Sequence, residues 1–579
     1  MTRFSFVVPL GIAIWALAAC GSRPPPPSAP AADAAPPAPY DDLNRIVERY
    51  WDAHVPAGNP LSAQYLADAL DVERRFLREI LAVPRARLDA QGQLTYDIFK
   101  RRRELDIDGL TYPSELIPLD PFEGELQQFA LTASDIAQHP KKTIKDYEDW
   151  QLAVDAQARW MRQAMQNMRA GMRRGYTSPK VLMERMLPLL RVLGNDAPDN
   201  VFYGPARNLP RTIGEPDRNR LERNIGEAVK KQLLPAYRDM QDFIQKEYLP
   251  RARASIALSA LPLGRSWYLS LVRRAAGPQA TPAEVHALGV AEVERLHARL
   301  AALPGGAAPP GGAAPSAASA VTGTADTAQP EILNAAEELK QQTVAAMAAL
   351  FADAPPSDFE IHGYTPVGEG FPLFYYRPAR ESGAPAVLYM NAAGGAAPAK
   401  AEVTAFLMEA VPGRHYQSAL QQQRSDLPRF RRFGSDATFT AGWALYAASL
   451  GEELGMFRDD PSRRGAVMAQ MQCAAAVVAD TGIHAENWTR TQAAAYLRAQ
   501  LPAEAAAADV MTDRFIASPG SALGCAIGEL KIRALRSRAL ERLGSRFDIR
   551  EFHSEILKDG SMPLDILESK INLWMSARR

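Results

Sequence analysis

The stretch FLMEAVPGRHYQ, residues 406–417, carries a Glu, a Pro-Gly and a His in the manner of a zinc-hydrolase helix. In such a helix two histidines at i and i+4 share one face and bind the metal, and a Glu beside the first acts as general base. Zinc takes about three protein ligands and keeps one position for water. Glu409 stands at the base position. The residue before it is Met408, and i+4 from Met408 is Pro412, which cannot ligate. Pro412-Gly413 is expected to break regular helical hydrogen bonding. A two-residue insertion of this kind moves the second ligand position to Arg414. A thioether is a weak zinc ligand beside imidazole and carboxylate, and a guanidinium cannot give up its proton. Without a metal, water stays near its bulk pKa and Glu409 has no activated nucleophile to make.

The eight histidines offer no substitute: none has another at i+3 or i+4, so no replacement metal site is visible. No GxSxG motif supplies a serine nucleophile. His484 lies just before the capping signature Thr489–Gln492 and reads most simply as a side chain that hydrogen-bonds the turn between two helices. His415 follows the second ligand position and reads either as a structural histidine or as a group that once met substrate.

Helices must position these residues. Over 143–176, Tyr147, Trp150, Val154, Met161, Met165, Met168 and Met172 recur at spacings of three, four or seven, and Thr143 with Asp146 forms an N-cap signature. The Met stripe is expected to be core packing. Similar patterns run over 218–246, 282–303, 330–353, 462–480, 489–500 and 526–543. PLFYYRPA (372–379) and AVLYMNA (386–392), joined by the turn-forming RESGAP, predict a β-hairpin within 357–395. Residues 304–329 are Gly, Ala and Pro-rich and read as an unstructured surface insertion, with a domain linker as the competing reading. The fold class is therefore mainly α with a minor β element.

The N-terminus MTRFSFVVPLGIAIWALAAC has one early basic residue, a short apolar run and small residues before Cys20. It reads as an export signal, residues 1–19, ending in the lipobox Leu17-Ala18-Ala19-Cys20, with Cys20 the residue acylated after cleavage. Gly21 follows, where an Asp would favour inner-membrane retention, so the outer membrane is expected. The lipidated Cys20 and a Pro/Ala-rich tether occupy 20–39, ahead of the folded part at 40–579. These features place the folded part in the bacterial cell envelope, facing the periplasm, with the membrane as a partner through the lipid. Lys+Arg and Asp+Glu both number 66, so the balance is neutral and nucleic acid is not expected as a partner. Cys473 and Cys525 remain. An oxidising compartment permits a bridge, but a pair of separate buried thiols is the expectation.

Five motifs in order, MEAVPGRHYQ (408–417), AGWALYAA (441–448), AAVVADTGIH (475–484), PGSALGC (519–525) and FHSEILKDG (552–560), resemble those of the bacterial domain-of-unknown-function 885 proteins. SALPLGRSWYLSLVRR (259–274) and LFYYRPARESGAPAVLYMNA (373–392) resemble that family as well. Its members are secreted, often lipid-anchored, and look like HExxH-type metallopeptidases. The resemblance implies a large multi-helical, zincin-like architecture with a central cleft, zinc as the family cofactor, and 304–329 as an insertion within one domain. By the family pattern the metal positions fall on Met408, Arg414 and Ala441. Ala448, Ala476 and Cys525 replace a Glu, an Arg and a Tyr. What remains is Glu409 as a vestigial base, His415, Gln417, Trp443, Tyr446, Asp480, His484 and His553.

The expectation is thus a member without zinc or other cofactor and without peptidase chemistry, which keeps a cleft for a peptide, cell-wall or protein ligand. Gln417, Trp443, Tyr446, Asp480 and His553 are the cleft candidates, and Arg414 is expected to stand in the metal's place and pair with Glu409. An active peptide hydrolase with Glu409, His415 or His484 as acid–base groups, and a purely structural envelope protein with a filled cleft, are the two alternatives.

Overall fold

The computed structural model describes residues 39–56, 58–133, 141–304, 330–364, 374–381, 383–391 and 402–578. The export signal, Cys20, the tether up to residue 38 and nearly all of the 304–329 insertion lie outside them. The helical patterns are realised. Thr143 caps the Ile144–Arg174 helix in a full capping box with Asp146, and Met161, Met165 and Met168 are buried in its core stripe. Each such side chain contributes about 1.5–3 kcal/mol by leaving water. Thr489 and Gln492 form a second capping box at the start of the Arg490–Gln500 helix.

The β element is larger than the expected hairpin. β1 (Phe359–Tyr364), β2 (Phe374–Arg377) and β3 (Ala386–Asn391) form a sheet in the order β1-β3-β2. β2 and β3 are the predicted antiparallel pair, with Phe374 opposite Met390 and Arg377 opposite Val387. β1 adds a parallel partner, with Phe359 opposite Ala386. The period-2 alternation turns Phe374 and Tyr376 toward the helices that carry the opening motif. Phe374 meets Phe406, and Phe359 and Tyr376 both meet His415.

Two large apolar clusters make up most of the described interior. One gathers the N-terminal helices, the inner sheet face and the motif helices. The other is built mainly on residues 119–256. The Asp460–His484 helix serves both, with Cys473 and Val477 in the first and Met471 and Ala475 in the second. It is apolar and long enough to cross a membrane, but 83% of its apolar window is buried inside the protein, which makes it a core helix.

The Ala437–Ser449 helix crosses the Leu523–Leu543 helix through two glycines. A Cβ on Gly442 would lie 2.3 Å from Cα of Gly528, and one on Gly528 would lie 2.4 Å from the Thr438 carbonyl oxygen. Neither backbone can yield without separating the helices. Gly442→Ala is expected to lower stability by about 1–3 kcal/mol through overpacking. Urea unfolding checks this, and an unchanged midpoint would contradict the close crossing.

Cys473, on the Asp460–His484 helix, and Cys525, on the Leu523–Leu543 helix, are joined in a disulfide with Cα atoms 5.8 Å apart. This corrects the expectation of separate thiols. Helix packing sets that distance, and a separation of 52 residues in sequence conceals it.

Candidate functional site

The opening motif folds as two helices and a break. Glu402–Glu409 ends at the Glu, Arg414–Gln423 begins at the Arg, and the Val411–Pro412 peptide between them is cis. Gly413 is required on steric grounds, because a Cβ there would lie 2.0 Å from the Met408 carbonyl oxygen. The indole Nε1 of Trp443 donates to the Pro412 carbonyl at 2.9 Å, and the His415 amide donates to the Ala410 carbonyl at 3.1 Å. The Pro412-Gly413 insertion therefore turns the chain and is pinned from the neighbouring helix.

This turn brings Arg414 back onto Glu409. Arg414 Nε donates to Glu409 Oε1 at 2.9 Å, and both side chains are about nine-tenths buried, at 8% and 11% exposure. Glu409 Oε2 accepts from the backbone N–H of Tyr376 on β2 at 3.3 Å. A buried carboxylate needs such partners, since desolvation of an unpaired charge costs several kcal/mol. Arg414 Nη1 is buried without a hydrogen-bond partner. Met408 and Ala441 are half-buried, and Ala448 and Ala476 are buried among apolar groups.

The donor set at Met408, Arg414 and Ala441 does not fit zinc: it offers a thioether, a fixed cation and a methyl group. Among the described residues, no three His, Cys, Asp or Glu side chains gather as a metal site requires.

His415 is fully buried. Its Nε2–H donates to the Ser357 carbonyl at 2.9 Å, and Nδ1 accepts from the Tyr376 hydroxyl at 3.2 Å. The Tyr376 hydroxyl also bonds Ser418 Oγ at 2.8 Å. Burial pushes the His415 pKa down to about 4. Tyr376 thus meets Glu409 through its backbone and His415 through its side chain. Sequence reasoning missed it, and its only signal was its place inside the quoted stretch 373–392.

Of the remaining candidates, Tyr446 and His553 lie together against Trp443, while His484, Asp480 and Gln417 make separate contacts. Tyr446 donates to His553 Nε2 at 2.9 Å, and His553 Nδ1–H donates to the Leu350 carbonyl at 2.9 Å. His484 accepts from the Leu258 amide at 3.0 Å and donates to the Phe515 carbonyl at 2.9 Å. Asp480 accepts from the Tyr268 hydroxyl at 2.6 Å and from the Gly520 amide at 2.9 Å. Tyr268 is the second residue missed, within the stretch 259–274. Gln417 donates to Gln421 at 2.8 Å. A groove of about 410 Å³ lies elsewhere, lined by residues that include Lys100, Arg101, Glu104 and Asp565.

The buried histidines make the fold acid-sensitive. Burial depresses His484 to about 3, and His415 and His553 to about 4. An unfolded histidine titrates near 6.5. Above that pH all three are neutral in both states and cost nothing. As pH falls from about 6.5 toward 4, only the unfolded chain takes up these protons. Stability is then expected to fall by up to about 1.4 kcal/mol per pH unit for each histidine. Urea midpoints at pH 7, 6 and 5 check this; a flat profile would contradict it.

The comparisons with known proteins agree with this architecture. The family model described as bacterial protein of unknown function (DUF885) matches residues 57–571. No curated protein matches the chain. Among solved structures, the putative lipoprotein from Colwellia psychrerythraea is similar with a TM-score of 0.74 at 21% identity, over 93% of this chain and 99% of that one. A putative lipoprotein of unknown function from Shewanella oneidensis is similar with a TM-score of 0.63 at 13% identity, over 94% of this chain and 100% of that one. At these identities the likeness is one of fold.

Proposed function

The chain belongs to the DUF885 family of bacterial proteins of unknown function, and from that membership we propose that it is a lipid-anchored envelope protein whose metallopeptidase-like site no longer has the ligands for zinc. In this reading the site is catalytically inactive and binds a peptide, a cell-wall fragment or a protein partner. The observation that carries it is the buried Arg414–Glu409 pair. A fixed cation lies against the carboxylate that would act as base, at the position where the family pattern places a metal ligand. That arrangement keeps Glu409 occupied and repels a divalent cation.

The location rests on the lipobox at Leu17–Cys20 and on the similarity to proteins described as putative lipoproteins. Gly21 after Cys20 favours the outer membrane. A hydrolase built on Glu409 and His415 has less support. His415 spends both ring nitrogens on structural hydrogen bonds and is a weak base, and Glu409 is held by Arg414 and a backbone amide.

The test is binding of the mature protein to arrays of peptides and cell-wall fragments, beside an Ala441→Trp variant that fills the half-buried metal position. Saturable binding that the variant loses supports the reading. Absence of saturable binding favours the filled-cleft, structural alternative.

A further inference from the structure

We infer that Arg414 also recognises a ligand's carboxylate, so that the partner of this site is a peptide-like molecule with a free carboxylate group. The inference rests on the reading that the site binds such partners, and it adds the chemistry of recognition. Three observations carry it.

Arg414 uses only Nε to reach Glu409, while Nη1 is buried, with the side chain 8% exposed, and has no hydrogen-bond partner. A buried guanidinium donor without an acceptor is costly, and native folds satisfy nearly all such groups.

Among the described residues, the surroundings do not supply the acceptor. Glu409 already receives Arg414 Nε on one oxygen and the Tyr376 amide on the other. The Tyr376 hydroxyl is engaged with Ser418 and His415. Met408 offers a weakly accepting thioether, and Ala441 offers nothing.

Arg414 is also the first residue of the Arg414–Gln423 helix, so the positive end of that helix lies at the same place and favours an anion. A carboxylate suits the spare guanidinium edge best, because charge-assisted hydrogen bonds to planar oxygens are what arginine makes most strongly. Met408, next to Glu409 in the chain, is half-buried and not sealed in the core.

The test uses N-acetylated hexapeptides in matched pairs, one with a free C-terminal acid and one with a C-terminal amide, bound to the mature protein. The acids are expected to bind at least about tenfold more tightly than the amides. An Arg414→Gln variant with a wild-type circular dichroism spectrum should lose that preference. Equal binding of acids and amides by the parent overturns the inference while leaving peptide binding in place. Saturable binding of neither form overturns this inference and the reading it rests on. Should Arg414→Gln fail to fold, the acid–amide ratio measured on the parent decides the matter alone.

Discussion

Arg414→Met is expected to lower the stability of the folded protein by about 3–5 kcal/mol, the usual cost of removing one partner from a buried ion pair. The reason lies in Glu409. Its carboxylate is about nine-tenths buried and, among the described residues, keeps only the Tyr376 amide once Arg414 is gone. One amide hydrogen bond does not offset the desolvation of a full negative charge. The companion substitution Glu409→Met leaves the guanidinium with no carboxylate partner and should cost a similar amount. The double substitution removes both charges and should cost less than the sum, by a coupling of about 1–3 kcal/mol. Denaturant unfolding of the four proteins measures this directly. Additive effects would show that Arg414 and Glu409 do not depend on each other.

Loss of the disulfide is the second large effect. Cys473→Ser or Cys525→Ser opens a loop of 52 residues, for which chain-entropy arguments give about 14 cal/mol/K, or about 4 kcal/mol at 25 °C. The bridge ties the helix bearing Asp480 and His484 to the helix that crosses Gly442. Its removal therefore loosens the scaffold under Trp443 as well. Thermal unfolding with and without a thiol reductant should show the parent falling to the stability of the serine variants, and the variants unmoved. Equal melting of all forms would contradict a structural bridge.

The helices were legible because their signals are local. The apolar spacing at 144–174 and the capping boxes at Thr143 and Thr489 involve residues three or four apart, and the Pro412-Gly413 break follows from the chemistry of two residues. What the sequence concealed depends on chain segments meeting in space. β1 is a six-residue strand whose partner β3 begins at Ala386, and nothing within Phe359–Tyr364 announces a parallel pairing. Gly442 and Gly528 look alike as glycines inside helical patterns, and only the crossing shows why neither tolerates a side chain. The disulfide is of the same kind.

In the site itself, the pairing of Arg414 with Glu409 was expected from the family resemblance, which puts a fixed cation where a metal ligand would stand. Tyr376 was not, since it reaches the pair from the sheet. His484 and His553 drew attention as chemical groups, yet their hydrogen bonds go to the backbone at Leu258, Phe515 and Leu350. A motif fixes residue types, but it cannot tell a histidine that does chemistry from one that holds a loop.

Zinc titration of the parent and of the triple variant Met408→His, Arg414→His, Ala441→Glu decides whether the site has lost its metal. No stoichiometric zinc is expected on the parent and one zinc per chain on the variant, with imidazole and carboxylate in place of thioether, guanidinium and methyl. Stoichiometric zinc on the parent would contradict that loss.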